Sequence, residues 1–78
     1  MVNSEKQLIR KLKKGDEDAF KYFFMSYYSG LCVFSKKYVN TPEVAEEIVQ
    51  DTYLTLWEKR KLIKVKKTIK PFLFKTVQ

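Results

Sequence analysis

The stretch from Glu43 to Arg60 constrains the fold most, because it reads as a helix with two opposed faces. Thr41 offers an oxygen to cap free amides, and Pro42 stands at the first helical position, where no amide hydrogen is needed. At about 100° per residue, Ala45, Ile48, Val49, Thr52, Tyr53 and Leu56 fall on one side, as a core-facing stripe does. Glu47, Gln50, Asp51, Leu54 and Glu58 fall on the other side at helical spacing. Between Glu43 and Glu58 there are five acidic residues and no basic one. A solvated face usually mixes signs and gains about 0.2–0.5 kcal/mol per opposite-charge pair, whereas like charges repel. This face forgoes that gain in a chain whose net charge is +7. Two readings fit it: a solvated helix whose acids favour its N-terminal half through the helix dipole, or a docking surface for a basic partner.

Length and composition bound the rest. Seventy-eight residues make one small domain, spanning 1–78, and such a chain buries only about 60–65% of its unfolded surface. A hydrophobic content of 45% and an aromatic content of 15% are ample for a packed core. One cysteine and no histidine exclude a disulfide framework and the usual zinc patterns. Cys32 reads as a small half-buried hydrophobe. The first twenty residues hold no long apolar run, so neither a signal peptide nor a membrane span is expected, and a cytoplasmic chain is.

From the N-terminus, the first helix is expected from Ser4 to Lys14, with Ser4 and Gln7 as a capping box and Leu8, Ile9 and Leu12 as a narrow apolar stripe. The basic run Arg10, Lys11, Lys13 and Lys14 reads as a solvated face. Gly15 ends this helix and Asp16 caps the next, expected from Glu17 to Tyr38. There Phe20, Phe24, Tyr27, Leu31, Phe34 and Tyr38 project within about 80° of one another, which reads as the spine of the core. Phe23 and Tyr28 flank it. Asn40 and the Thr41-Pro42 pair stop the helix.

After Glu58 the charge changes abruptly. Residues 59–78 hold eight of the sixteen basic residues and no acid, so the rest of the chain is about neutral. That separation places a cationic patch at one end of the sequence. Lys61 to Lys67 are expected to form a loop, and Thr68 to cap a fourth helix with Ile69, Phe72, Leu73, Thr76 and Val77 inward. Lys70, Phe74, Lys75 and Gln78 then face outward. Lysines alone would make a solubilising tail, whereas an exposed aromatic among them favours nucleic acid, whose phosphates take the charge and whose bases stack on the ring. No stop signal precedes Gln78, which suggests a piece of a larger protein.

Three segments, GDEDAFKYFFMSYY, PEVAEEIVQDTYLTLWEKR and IKPFLFKTVQ, together resemble region 2 of the sigma-70 family of bacterial transcription initiation factors. The resemblance runs from about Leu8 to Gln78 and is to the extracytoplasmic-function group, in a style similar to members from Bacteroides-like bacteria. It implies that residues 47–60 dock on the β′ clamp coiled coil of the RNA polymerase core, with Glu47, Gln50 and Asp51 as polar contacts. Helical geometry independently places these three on the acidic face. It also implies that Lys61 to Thr68 hold a flipped base of the non-template strand of the −10 promoter element, while Lys70, Phe74 and Lys75 track that strand. An anti-sigma factor is a further implied partner. Two departures stand out: the loop is unusually rich in lysine (Lys64, Lys66, Lys67), which raises backbone affinity without carrying sequence information, and the helix-turn-helix that would read the −35 element is absent from this sequence.

The sequence therefore predicts an all-α bundle of three to four helices, resembling sigma-70 region 2, that binds polymerase through its acidic stripe and single-stranded promoter DNA through its basic segment. No catalysis, metal, cofactor, small-molecule substrate or membrane insertion is expected. One rival is a non-specific basic helical DNA binder, which needs no acidic stripe. The other is a protein-only adaptor, dimerising through exposed aromatics.

Overall fold

The computed structural model describes residues 4–77. Among these the chain is all-helical: α1 (Glu5–Lys13), α2 (Glu17–Ser35), α3 (Pro42–Glu58), a 3-10 turn (Arg60–Leu62) and α4 (Lys70–Thr76). No helix among the described residues is long and apolar enough to cross a membrane.

The helix starts follow their local chemistry. Gln7 N–H donates to the Ser4 hydroxyl while Ser4 N–H donates to the Gln7 side chain, completing the expected capping box. At the other end of α1, Gly15 adopts φ +90°, and Gly15 and Asp16 N–H reach back to the carbonyls of Leu12 and Lys11. This is the bond pair of a Schellman ending, which needs a residue that tolerates positive φ. Asp16 then turns its carboxylate to the amides of Asp18 and Ala19 and opens α2. Thr41 accepts from Val44 N–H and Pro42 leads α3, both as expected.

The inner face of α3 is also as expected. Ala45, Val49, Thr52, Tyr53 and Leu56 are buried and Ile48 is partly so. Two buried hydroxyls are satisfied: Thr52 donates to Ile48 O, and Tyr53 donates to Phe23 O at 2.9 Å. That second bond clasps α3 to α2. Burial pushes the Tyr53 phenol well above its ordinary range, so it stays a neutral donor.

Helix α2 departs from its expected spine. Its fully buried residues are Ala19, Phe23, Leu31 and Ser35, whereas Phe20, Phe24, Tyr27 and Phe34 are half-buried around them. The buried positions repeat in multiples of four. They form a ridge inclined by about 26° to the helix axis, which is the ridge that neighbouring helices cross when they pack obliquely. A projection down the axis assumes neighbours parallel to it and so centres the face on the wrong residues. α2 also ends at Ser35, where Tyr38 had been expected, because Lys37 and Tyr38 N–H bond to the carbonyls three residues back and tighten the chain into a turn. Tyr38 is left 63% exposed. Cys32 is half-buried, as expected, and burial raises its thiol pKa.

The core closes through α4. Ile69, Leu73 and Val77 are buried in the same core cluster as Leu8, Ile9 and Leu12 of α1, with α4 packed on α2 and α3. Thr76, expected inward, is exposed and returns its hydroxyl to Phe72 O. Gln78 lies outside the described residues.

Candidate functional site

Two surfaces carry the polar chemistry. On α3, Glu47, Gln50, Asp51, Leu54 and Glu58 are all exposed, in agreement with their helical spacing. Leu54 is the apolar centre of that face, at 56% exposure. The fold adds what the spacing of one helix cannot contain. An open groove of about 710 Å³ runs beside Leu54, walled by Trp57 of α3 and by Glu17, Asp18, Phe20 and Lys21 of α2. The acids of α2's first turn, Glu17 and Asp18, therefore border the same apolar spot as the α3 face. The far side of the groove is stiffened by aromatic contacts, with Phe20 edge-on to Trp57 at 5.3 Å and the Arg60 guanidinium over Trp57 at 4.1 Å.

Arg60 also ends α3. It donates to Trp57 O at 2.8 Å while Lys59 caps the helix. The helix consequently stops at Glu58, short of the expected Arg60, and the chain makes a 3-10 turn before its irregular segment.

That irregular segment and α4 enclose the second site, a cavity of about 310 Å³. Its apolar wall is Leu62, Ile63, Ile69, Pro71 and Phe72, and its rim carries Lys59, Lys64, Lys66 and Lys75, with Thr68 between them. Of the expected DNA-binding residues, Lys64, Lys66, Thr68 and Lys75 come together here. Lys61, Lys67 and Lys70 are exposed but do not line the cavity. Phe74 is a correction. It is half-buried, its ring edge-on to Phe34 at 5.1 Å with Lys70 Nζ 5.8 Å above it. An aromatic already packed against α2 and overlain by Lys70 braces the helix and is a poor stacking platform. Phe72 takes its place as the ring in the cavity wall.

Sequence reasoning missed Lys59, Leu62 and Phe72. In the sequence Lys59 falls inside the helix expected to reach Arg60, and Phe72 reads as plain core. Leu62 is 80% exposed, which no pattern forecasts in a loop whose path depends on what it packs against.

It also missed Glu5. From the start of α1 this carboxylate accepts the Tyr27 hydroxyl at 2.5 Å, the Thr68 hydroxyl at 2.8 Å and Ile69 N–H at 3.0 Å. Burial pulls its pKa upward, but the bonds from Tyr27, Ile69 and Thr68, with the nearby charge of Lys70, outweigh that and hold it below the ordinary 4.5. Thr68 passes the bonding on by accepting from Lys70 N–H at 3.2 Å. Contrary to expectation it is not the cap of α4: that position falls on Ile69, which has helical backbone angles and no side-chain cap bond, and the Thr68 hydrogen is committed to Glu5.

Among the described residues no group of three or more His, Cys, Asp or Glu side chains is placed to hold a metal ion. One surface presents acids around an apolar centre, the other ammonium groups around an apolar cavity. No protein-family model, curated protein or solved structure matches the chain.

Proposed function

We propose that the chain works as region 2 of an extracytoplasmic-function sigma factor, a binding domain with two ligands and no catalytic step. The acidic face of α3 docks on the β′ clamp coiled coil of RNA polymerase, and the lysine-rimmed cavity takes an unpaired base from the non-template strand of the −10 element. The observation that carries this reading is the cavity. Its rim is cationic and its wall apolar and aromatic, which matches a nucleotide whose phosphates want cations and whose base wants a dry surface. Duplex DNA buries its bases, so a pocket for one base favours single strands, while exposed Lys61, Lys67 and Lys70 add phosphate contacts without regard to sequence.

Division of charge supports the same reading. The acids of α3 repel DNA and the lysines after it attract DNA, so each surface excludes the other's ligand.

Fluorescence anisotropy with matched single-stranded and duplex probes at two salt concentrations tests the proposal. Single strands should bind more tightly, and log affinity should fall with log salt by about 0.7 per phosphate contact. Equal or tighter duplex binding would point to a generic basic DNA binder. Absence of binding to either probe, with self-association, would point to a protein-only adaptor.

A further inference from the structure

The segment from Ile63 to Ile69 is the least regular part of the described chain, yet it forms half of the cavity lining. Its apolar side chains Ile63 and Ile69 are buried, but buried hydrocarbon fixes depth better than it fixes backbone direction. Among the described residues, main-chain bonds outside the helices run to Leu62 N–H, which meets Lys59 O, and resume at Leu73 N–H, which meets Ile69 O. The amides that open α4 are therefore the ones in need of partners: those of Ile69, Lys70 and Phe72, Pro71 having none. Glu5 supplies that of Ile69 directly and that of Lys70 through Thr68.

We propose that Glu5 is a positioning residue for the cavity, holding the Thr68–Ile69 junction in the conformation that shapes its wall, from 63 and 64 residues away in sequence. This rests on the reading of the cavity as the seat of an unpaired base. Glu5 stands outside the cavity lining; Thr68 and Ile69 belong to it. The Tyr27 hydroxyl holds the other carboxylate oxygen, so the side chain is anchored to α2 as well as to its own helix. The junction is thereby referenced to two rigid helices. If the anchor is lost, the binding-competent loop becomes one member of an ensemble, and apparent affinity falls in proportion to its population.

Charge makes the idea separable from simple electrostatics. Glu5 is an acid near lysines that would bind DNA, so removing its charge should, on charge alone, tighten binding to any nucleic acid. Positioning has the opposite sign. Glu5→Ala should weaken single-strand binding by about tenfold, as when the competent loop population drops to about a tenth. Glu5→Gln keeps an oxygen for Thr68 and Ile69 and should restore most of the affinity despite losing the same charge.

The experiment pairs anisotropy on a thymine-rich single-stranded oligonucleotide with amide spectra of 15N-labelled protein. In Glu5→Ala the Ile69 and Lys70 amide signals should shift or broaden, and in Glu5→Gln they should stay near their wild-type positions. Should Glu5→Ala fail to fold, Thr68→Val, which leaves Glu5 attached to α2, should show the same loss of single-strand binding. Unchanged or tighter binding by Glu5→Ala, or by Thr68→Val where that variant stands in, overturns the positioning role. Equal loss in the Ala and Gln variants does so too. If wild type itself shows no single-strand preference while the amides still respond to Glu5→Ala, the base-capture reading has failed and Glu5 organises the junction without a role in binding.

Discussion

The ring of Phe74 meets Phe34 edge-on, centroids 5.1 Å apart and planes at 75°. The contact joins α4 to α2 and turns an aromatic that helical spacing directs outward into a strut. Phe74→Ala should therefore cost stability, about 2 kcal/mol for a half-buried ring with one aromatic partner, and leave the preference for single strands unchanged in the folded protein. Phe72→Ala should erode that preference. Thermal melts with paired anisotropy measure both effects, and a lost preference in Phe74→Ala with an unchanged melt would restore it as a stacking residue.

Phe23 rather than Phe24 or Phe34 should dominate the aromatic contribution to stability. Phe23→Ala leaves a cavity at a fully buried site and should cost about 3–5 kcal/mol, enough to unfold much of a domain this small. Tyr53→Phe removes only the bond to Phe23 O and should cost about 0.5–1.5 kcal/mol. Urea midpoints for the two variants, with Phe24→Ala and Phe34→Ala as milder comparisons, give the order directly.

On the acidic face, Gln50→Ala combined with Asp51→Ala should leave helicity intact, because both side chains are exposed. The same pair should abolish binding to a β′ clamp-helix fragment. Charge-assisted contacts at such a face are worth about 1.5–3 kcal/mol each when desolvated. Unaltered affinity in a titration with that fragment would remove the docking assignment.

The cavity's free side-chain donors are four lysines; Thr68 has its hydrogen committed to Glu5 and its oxygen already engaged by Lys70 N–H. Thymine offers carbonyl acceptors and a methyl group, whereas cytosine brings an amino donor for which the only side-chain acceptor there is that engaged hydroxyl. Single-stranded probes differing at one base should rank thymine above cytosine by up to about tenfold, or about 1.4 kcal/mol. 5-Methylcytosine should fall between them. Changing Lys64, Lys66 and Lys67 to glutamine should weaken every probe and flatten the salt slope. A preference for cytosine would show that loop carbonyls, not the lysines, read the base.

Glu5 gives stability a signature in acid. Its folded-state pKa lies below 4.5, so its contribution is fully present above that pH and is lost as pH falls through the depressed folded value. The groups facing it are Tyr27, Thr68, Ile69 N–H and Lys70. Wild type should be more stable than Glu5→Gln at pH 6, and the gap should close toward pH 3. A gap of constant size across that range would mean the carboxylate is not held in its charged form.

How much was legible in the sequence follows the range of the interactions concerned. The Ser4–Gln7 box, the Gly15 ending, the Asp16 and Thr41 caps and both faces of α3 involve partners within about one helical turn, or a single packing side, and 3.6-residue geometry contains all of that. The acidic face and the cationic segment were visible for the same reason. Helix α2 was misread because it touches α1, α3 and α4, and the residue at the centre of such a helix depends on crossing angles that no one-helix projection holds. Phe74's half-burial needed Phe34, and the cavity needed a loop path set by Ile63 and Ile69 in the core. Glu5's three bonds reach 22, 63 and 64 residues along the chain. Residue type and spacing settled which surfaces are charged and which helices form; only the closure of the chain on itself decided which groups meet, because contacts at that range are made by the packing of whole helices and leave no local trace.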